Sequence, residues 1–288
     1  MNIYNYKLVK VLVKWKMRLK RFIQEYRISE IIYDRKSLKQ FYILINNEKL
    51  IYEKEVNLIH GIIHSGDTVI DIGANRGEYT YYFSKQVGIN GRVYSFEPGS
   101  RAFSLLNEIK SKSQLDNVRL FKMALSDNTG ETELIVPYFN RQSQIKSNNP
   151  IKGRKEKVKL ITLDTFCSAE NISNIQFIKC DTEGAEMLVF KGGINTLKTN
   201  SPIIMVEIAE PHLTRFGFSI NEIYNFFIDL DYSMFIYDYT LNQLIRTTQI
   251  IQKSEGHVWS GKDEDLSNNN YIFIPNSKLD TVKDSIAQ

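Results

Sequence analysis

The run Thr68-Val69-Ile70-Asp71-Ile72-Gly73-Ala74-Asn75-Arg76-Gly77-Glu78-Tyr79-Thr80 constrains this chain more than any other part of it. Thr68 to Ile72 is short, apolar and β-branched, the composition of a strand covered on both faces. Gly73 and Gly77 bracket a turn where the backbone approaches something closely or takes a dihedral that a side chain forbids. Glu78 to Val87 has a helical pattern, so its unpaired N-terminal amides point back at the turn. Strand, glycine turn and helix N-terminus form the usual cradle for a nucleotide-like cofactor. The plainer alternative is a glycine turn in an α/β fold with nothing bound.

The residues of the turn narrow the cofactor. A dinucleotide site asks for G-x-G-x-x-G, and here Asn75 and Glu78 occupy the second and third glycine positions. A glutamate at the helix start would repel a pyrophosphate. The G-K-[ST] of a Walker loop is absent as well. With Asp71 at the strand's end, the turn suits a cofactor carrying positive charge, such as S-adenosylmethionine with its ammonium and sulfonium. The next strand, Val93-Tyr94-Ser95-Phe96-Glu97-Pro98, ends in a carboxylate about 20 residues after the turn, where an acid accepts hydrogen bonds from both ribose hydroxyls. Glu97 therefore reads as an adenosine contact, against the alternative of a solvated strand-end acid.

Composition excludes several classes. With 288 residues, 42% hydrophobic and 24% charged, the chain is long enough for one large domain with appendages and ordinary for a soluble protein. Its net charge of +4 is modest and much of the basic excess lies near the N-terminus, which argues against a nucleic-acid binder with a basic working face. Cys167 and Cys180 are the only cysteines, pointing to a reducing compartment with neither a disulfide framework nor a structural zinc. No apolar run reaches the roughly 18 residues of a membrane span and no signal-peptide core is visible, so the expected location is cytoplasmic.

Residues 1–52 read as an appendage and 53–288 as the main domain. Within 1–26, Leu8, Leu12, Trp15, Leu19 and Phe22 recur at helical spacing among seven Lys and Arg residues from Lys7 to Arg21. Such a helix either docks on the main domain, the favoured reading, or lies on an anionic membrane as a peripheral contact at its inner face. A β-hairpin is expected within 28–52. From 68 to about 207, strand and helix alternate, predicting a doubly wound, mostly parallel sheet with helices on both faces. Strands are expected at Val118–Ala124, Glu131–Val136, Lys157–Thr162, Ile175–Asp181, Ile203–Glu207, Ser233–Tyr237 and Tyr271–Pro275. Helices are expected at Glu53–His64, Arg101–Ser111, Ala185–Lys191 and, with Ser219 as N-cap, Ser219–Leu230. The polar loop Pro137–Lys155 is long for a compact domain and so expected to be functional or mobile.

Four core strands end in acids: Asp71, Glu97, Asp181 and Glu207. In an open parallel sheet these ends share one rim, where ligands collect. The densest is Lys179-Cys180-Asp181-Thr182-Glu183-Gly184-Ala185-Glu186, which would set Asp181 beside a reacting group with Glu183 and Glu186 following it.

These residues carry a resemblance. The chain resembles the FkbM family of S-adenosylmethionine-dependent methyltransferases in Asp71–Thr80, Phe96-Glu97-Pro98, Ala124-Leu125-Ser126-Asp127, Thr162-Leu163-Asp164 and Ile178–Glu186. Cys180 and Thr182 depart mildly from the family pattern, and the first 50 residues lie outside it. The resemblance implies a seven-stranded Rossmann-like core and O-methylation of a hydroxyl on a sugar, glycan or related natural product. It further implies that Asp71, Gly73, Asn75, Gly77, Tyr79 and Thr80 form the methionine-side pocket, with Glu97 and its neighbour Pro98 at the ribose. Met123, Ala124, Leu125 and Ser126 would flank the adenine, and Asp181, Glu183 and Glu207 would line the acceptor side.

A sugar hydroxyl loses its proton as the new bond forms, so a general base helps. His212 is the candidate, with Asp181 second. A divalent metal held by Asp181, Glu183 and Glu207 is the other way to lower the hydroxyl's pKa. A nicotinamide-dependent oxidoreductase and a catalytically silent binding protein of the same fold are the competing classes, the first disfavoured by Asn75 and Glu78. A valine at Gly73 is expected to abolish cofactor binding while leaving the fold largely intact.

Overall fold

The computed structural model describes residues 56–137, 143–238, 241–250 and 270–286. The expected basic helix and hairpin within residues 1–52 lie outside the described residues.

Among the described residues the main sheet has eight strands, one more than the seven implied by the resemblance. In chain order these are β1 (Thr68–Ile72), β2 (Arg92–Phe96), β3 (Val118–Phe121), β8 (Ile175–Cys180), β9 (Ile203–Glu207), β10 (Tyr232–Asp238), β11 (Gln243–Arg246) and β12 (Asn270–Pro275). Across the sheet they run β11-β10-β12-β9-β8-β1-β2-β3. β3, β2, β1, β8 and β9 are parallel, and β12 enters antiparallel to β9. The extra strand is β11, a hairpin partner of β10 at the edge. The chain builds outward from β1 in one direction and then resumes on its other side with β8. That reversal leaves a crevice beyond the carboxyl ends of β1 and β8.

Side-chain alternation assigns the two faces. On one, Phe83 of α2 (Glu78–Val87) meets Phe177 of β8, with ring centroids 5.5 Å apart. On the other, Phe166 of α4 (Leu163–Ala169) packs edge-on against Phe96 and Phe121, and Phe227 of α8 (Ile220–Ile228) stacks on Phe273 at 4.3 Å. Ser219 and Glu222 form a reciprocal capping box at the start of α8, as the N-cap expectation requires. The remaining helices are α1 (Val56–Ile62), α3 (Ser100–Lys112), α5 (Glu186–Lys191), α6 (Ile194–Asn200) and the short α7 (Glu210–Leu213).

A second sheet corrects the expected Val118–Ala124 strand. β3 stops at Phe121, and Ala124-Leu125 (β4) leaves to pair with β7 (Gly153–Ile161). β7 pairs antiparallel with β5 (Gly130–Pro137), and β5 with the two-residue β6 (Gln144–Ile145), giving the order β4-β7-β5-β6. The expected long loop is therefore shorter, because β6 and the start of β7 fall inside it. Among the described residues no helix is long and apolar enough to cross a membrane.

Candidate active site

The turn after β1 and the turn after β8 touch. The Asp181 amide donates to the Ile72 carbonyl at 3.0 Å. Gly73 has φ +78, and a Cβ built there would lie 1.7 Å from the Asp181 carbonyl oxygen. Glycine is thus demanded by the neighbouring strand end itself. The expectation that a valine at Gly73 would spare the fold is corrected by this contact.

From this junction a cleft of about 690 Å³, open mouth included, runs beneath the second sheet. Ile72, Gly73 and Asn75 form its wall at β1, and Phe96, Glu97 and Pro98 at β2. Ala102 of α3 and Met123, Ala124 and Leu125 supply an apolar side. Asp181, Thr182, Glu183 and Ala185 close the β8 end, and Leu134, Ser143 and Ile145 roof it from β5 and β6.

Glu97 is 7% exposed, and both its carboxylate oxygens engage backbone. Oε1 accepts from the Gly99 amide at 2.7 Å and Oε2 from the Asn75 amide at 2.9 Å. Asn75 reaches that position with φ +49, a left-handed conformation that asparagine tolerates. Burial lifts the Glu97 carboxyl to about 7, against the downward pull of the two amides. Each oxygen keeps a lone pair for a further donor.

The expected methionine-side set is divided by the structure. Gly73 and Asn75 face the cleft; Asp71, Gly77, Tyr79 and Thr80 do not line it. Asp71 is fully buried behind the turn, where the Thr80 hydroxyl donates to its Oδ2 at 2.5 Å while Oδ1 has no hydrogen-bond partner. Burial raises its pKa. Of the expected adenine flank, Ala124 and Leu125 line the cleft, whereas Ser126 is buried and its amide donates to the Ile161 carbonyl.

On the acceptor side, Asp181 and Glu183 face the cleft and Glu207 and His212 stand behind them. His212 Nδ1 lies 3.0 Å from Glu183 Oε2. Glu183 holds φ +58, a conformation a glutamate rarely takes. Burial raises its pKa, with His212 pulling the other way. Asp181 and Glu207 bring carboxylate oxygens within 4.8 Å of each other. The adjacent Asp181 charge and burial push the Glu207 carboxyl well up. Burial opposes the charge on Asp181, but the Lys179 ammonium outweighs it and holds that pKa down. Lys179, which the sequence reading passed over as a motif letter, is 3% exposed and 3.0 Å from Asp181 Oδ2. Glu186, which follows them in the chain, accepts from the Thr182 and Gly184 amides and caps the turn.

One oxygen each from Asp181, Glu183 and Glu207 lie within 4.8 Å of one another, a donor set of the type hard dications take. As built, the set does not suit one. Lys179 is hydrogen-bonded to Asp181, and His212 Nδ1 lies 3.0 Å from Glu183 Oε2.

A doubly wound sheet with a glycine turn at its switch point, a strand-end acid at β2 and a cleft between them defines a nucleotide-cofactor protein of the α/β class. Residues 71–234 match the methyltransferase FkbM domain, more than half the chain, and this chain belongs to that family. It is 27% identical over 165 residues to the 2-O-methyltransferase NoeI of Sinorhizobium fredii, covering 50% of this chain and 64% of that protein, so less than two thirds of the relative's length is spanned. Solved structures similar to it include methyltransferase FkbM from Methylobacillus flagellatus (14% identity, TM-score 0.47, 74% of this chain and 47% of that one). An S-adenosylmethionine-dependent O-methyltransferase from Thermotoga maritima is another (11% identity, TM-score 0.41, 80% and 68%).

Proposed function

We propose that this chain transfers a methyl group from S-adenosylmethionine to a hydroxyl oxygen of a sugar, glycan or related natural product. The observation that carries the reading is the single cleft joining Glu97 and the Gly73–Asn75 turn at one end to Asp181 and Glu183 at the other. FkbM membership and the name of the Sinorhizobium relative support methyl transfer to oxygen. The cleft fits the cofactor: Glu97 has lone pairs for two ribose hydroxyls, Met123, Ala124 and Leu125 offer an apolar wall to a base, and the β8 end is anionic.

When bound, S-adenosylmethionine supplies a methyl group already activated by a sulfonium. What remains for the protein is alignment and proton removal. Glu97 and the Asn75 turn anchor the adenosine half. Asp181, ionised and facing the cleft, is the carboxylate placed to accept a hydroxyl proton. Glu183, oriented by His212, is its neighbour on the same wall. His212 itself does not line the cleft, and its Nδ1 lies 3.0 Å from Glu183 Oε2, so its place is beside Glu183 as a positioning residue. The roof from β5 and β6 limits water at the reacting end.

Calorimetric titration with S-adenosylhomocysteine and with NAD, followed by a tritiated-methyl assay on a panel of glycans and lipid-linked sugars, tests the reading. Binding of NAD in preference to the thioether would overturn it. Thioether binding with no transfer to any acceptor, alcohols included, would assign the chain to the silent binding class.

A further inference from the structure

We infer that Lys179 is a built-in counter-cation for the strand-end acids, standing in the role that a divalent metal would otherwise fill, and that it is a positioning residue for Asp181. Lys179 projects from β8 on the α2 face, the same face as Phe177. Its register partner on β1 is Asp71, and its ammonium lies 3.0 Å from Asp181 Oδ2 and 4.6 Å from the centre of the Tyr79 ring. It does not line the cleft, so it approaches Asp181 from behind and leaves the cleft side of that carboxylate open.

The charge balance follows from the positions. Asp71, Asp181 and Glu207 all act on this one ammonium. Burying a lone lysine at 3% exposure would be prohibitive, and so would burying Asp71 at 0% with no cation near it. The one ammonium serves two of these acids: it is hydrogen-bonded to Asp181, and Asp71, held by the Thr80 hydroxyl, is its register partner on β1. The Tyr79 ring adds a cation–π face that fixes the ammonium where the hydrogen bond alone would let it swing. A dication brought to the same oxygens would meet this ammonium behind them. Like charges that close repel strongly where water is excluded.

This inference concerns the acids as they stand, and only its catalytic meaning rests on the methyltransferase reading. The experiment is a MnCl2 titration of the full chain, followed by the electron paramagnetic resonance signal of free Mn2+, on the native protein, Lys179→Met and Lys179→Gln. The native protein is expected to take up no Mn2+ saturably in the millimolar range. Each neutral variant is expected to bind one Mn2+ per chain at least about tenfold more tightly, and Asp181→Asn in the Lys179→Met background is expected to remove that site. Saturable binding by the native protein, lost in Asp181→Asn, would overturn the inference and make the cluster a metal centre. Folded neutral variants that stay as silent as the native protein would overturn it too, because Lys179 would then not be what keeps the dication out. Should neither neutral variant fold, the native titration still decides: uptake refutes the inference and silence supports it. Titration of the same samples with S-adenosylhomocysteine reports separately on the cofactor reading.

Discussion

The Asp181 carbonyl oxygen occupies the space where any residue but glycine at position 73 would place its Cβ, 1.7 Å away. The cofactor turn and the acceptor-side strand end are therefore one packed unit, and neither is built without the other. Gly73→Ala is expected to lower stability by about 3 kcal/mol or more, through the clash and through φ +78. For a domain of this size that is roughly 10 °C in melting temperature. Differential scanning calorimetry without ligand checks it. A mutant with native melting and no cofactor binding would mean the backbone contact is easily relieved.

Glu97 predicts opposite pH trends for stability and binding. Its folded pKa of about 7 lies above the reference 4.5, so the folded state holds the proton longer than the unfolded chain. That contribution favours folding at low pH and is lost as pH rises from about 4.5 to about 7. Ribose hydroxyls donate to the ionised form, so affinity for S-adenosylhomocysteine should rise with pH up to about 7 and level off above it. Glu97→Gln should abolish this dependence and weaken binding by about 1.5–3 kcal/mol. Calorimetry across pH 6 to 8, roughly one unit either side of the midpoint, measures both; a flat native profile would remove Glu97 from the ribose site.

Glu183 carries backbone strain at φ +58. A non-glycine residue in that region costs on the order of 1 kcal/mol, and the burial that raises its pKa adds to the cost of its charge. Glu183→Gly relieves both while deleting the His212 contact. The variant should melt no lower than the native chain, yet transfer methyl groups at least about tenfold more slowly. Thermal melts and the tritiated-methyl assay check the two halves, and a fall of several degrees would show that the His212 pair stabilises more than the strain costs.

The parts of the fold legible in the sequence are those with strong local signals. β1 and β9 begin and end where their apolar runs do, because both are covered on two faces. α8 announces itself through Ser219 and Glu222. α6 does not, because its N-cap is Gly193 and its first amides are satisfied by Asp164, about 30 residues earlier, which accepts from Asn195 and Thr196. The break between β3 and β4 was hidden for the same reason: the Ala124-Leu125 pair is claimed by Leu160 and Ile161 of β7. At the site, Glu97 and Asp181 were readable as strand-end acids. Lys179 was not, since its partners Asp71 and Tyr79 lie about 100 residues away and only the sheet register brings them together.

Arg215 fastens the roof of the cleft. β6 is only two residues long and pairs with β5 through Leu134–Ile145 and Ile135–Gln144, too little ladder to hold a strand in place. The Arg215 guanidinium donates to Gln144 Oε1 at 3.1 Å, and the Asn149 amide donates to the Arg215 carbonyl at 3.3 Å. Gln144 is 1% exposed, so losing its partner leaves a buried amide oxygen unsatisfied. Since Ser143 and Ile145 line the cleft, a loosened β6 opens its roof and admits water. Arg215→Ala is therefore expected to raise hydrogen exchange over residues 143–149 while β1, β8 and β9 keep their protection. Global melting should shift by no more than a few degrees, as for the loss of about 1 kcal/mol. Affinity for S-adenosylhomocysteine should fall several-fold, because a roof that is open part of the time reduces apparent affinity by the closed fraction. Exchange mass spectrometry with and without the thioether separates this from a fold defect: if protection is lost across the main sheet as well, Arg215 supports the domain and not the roof.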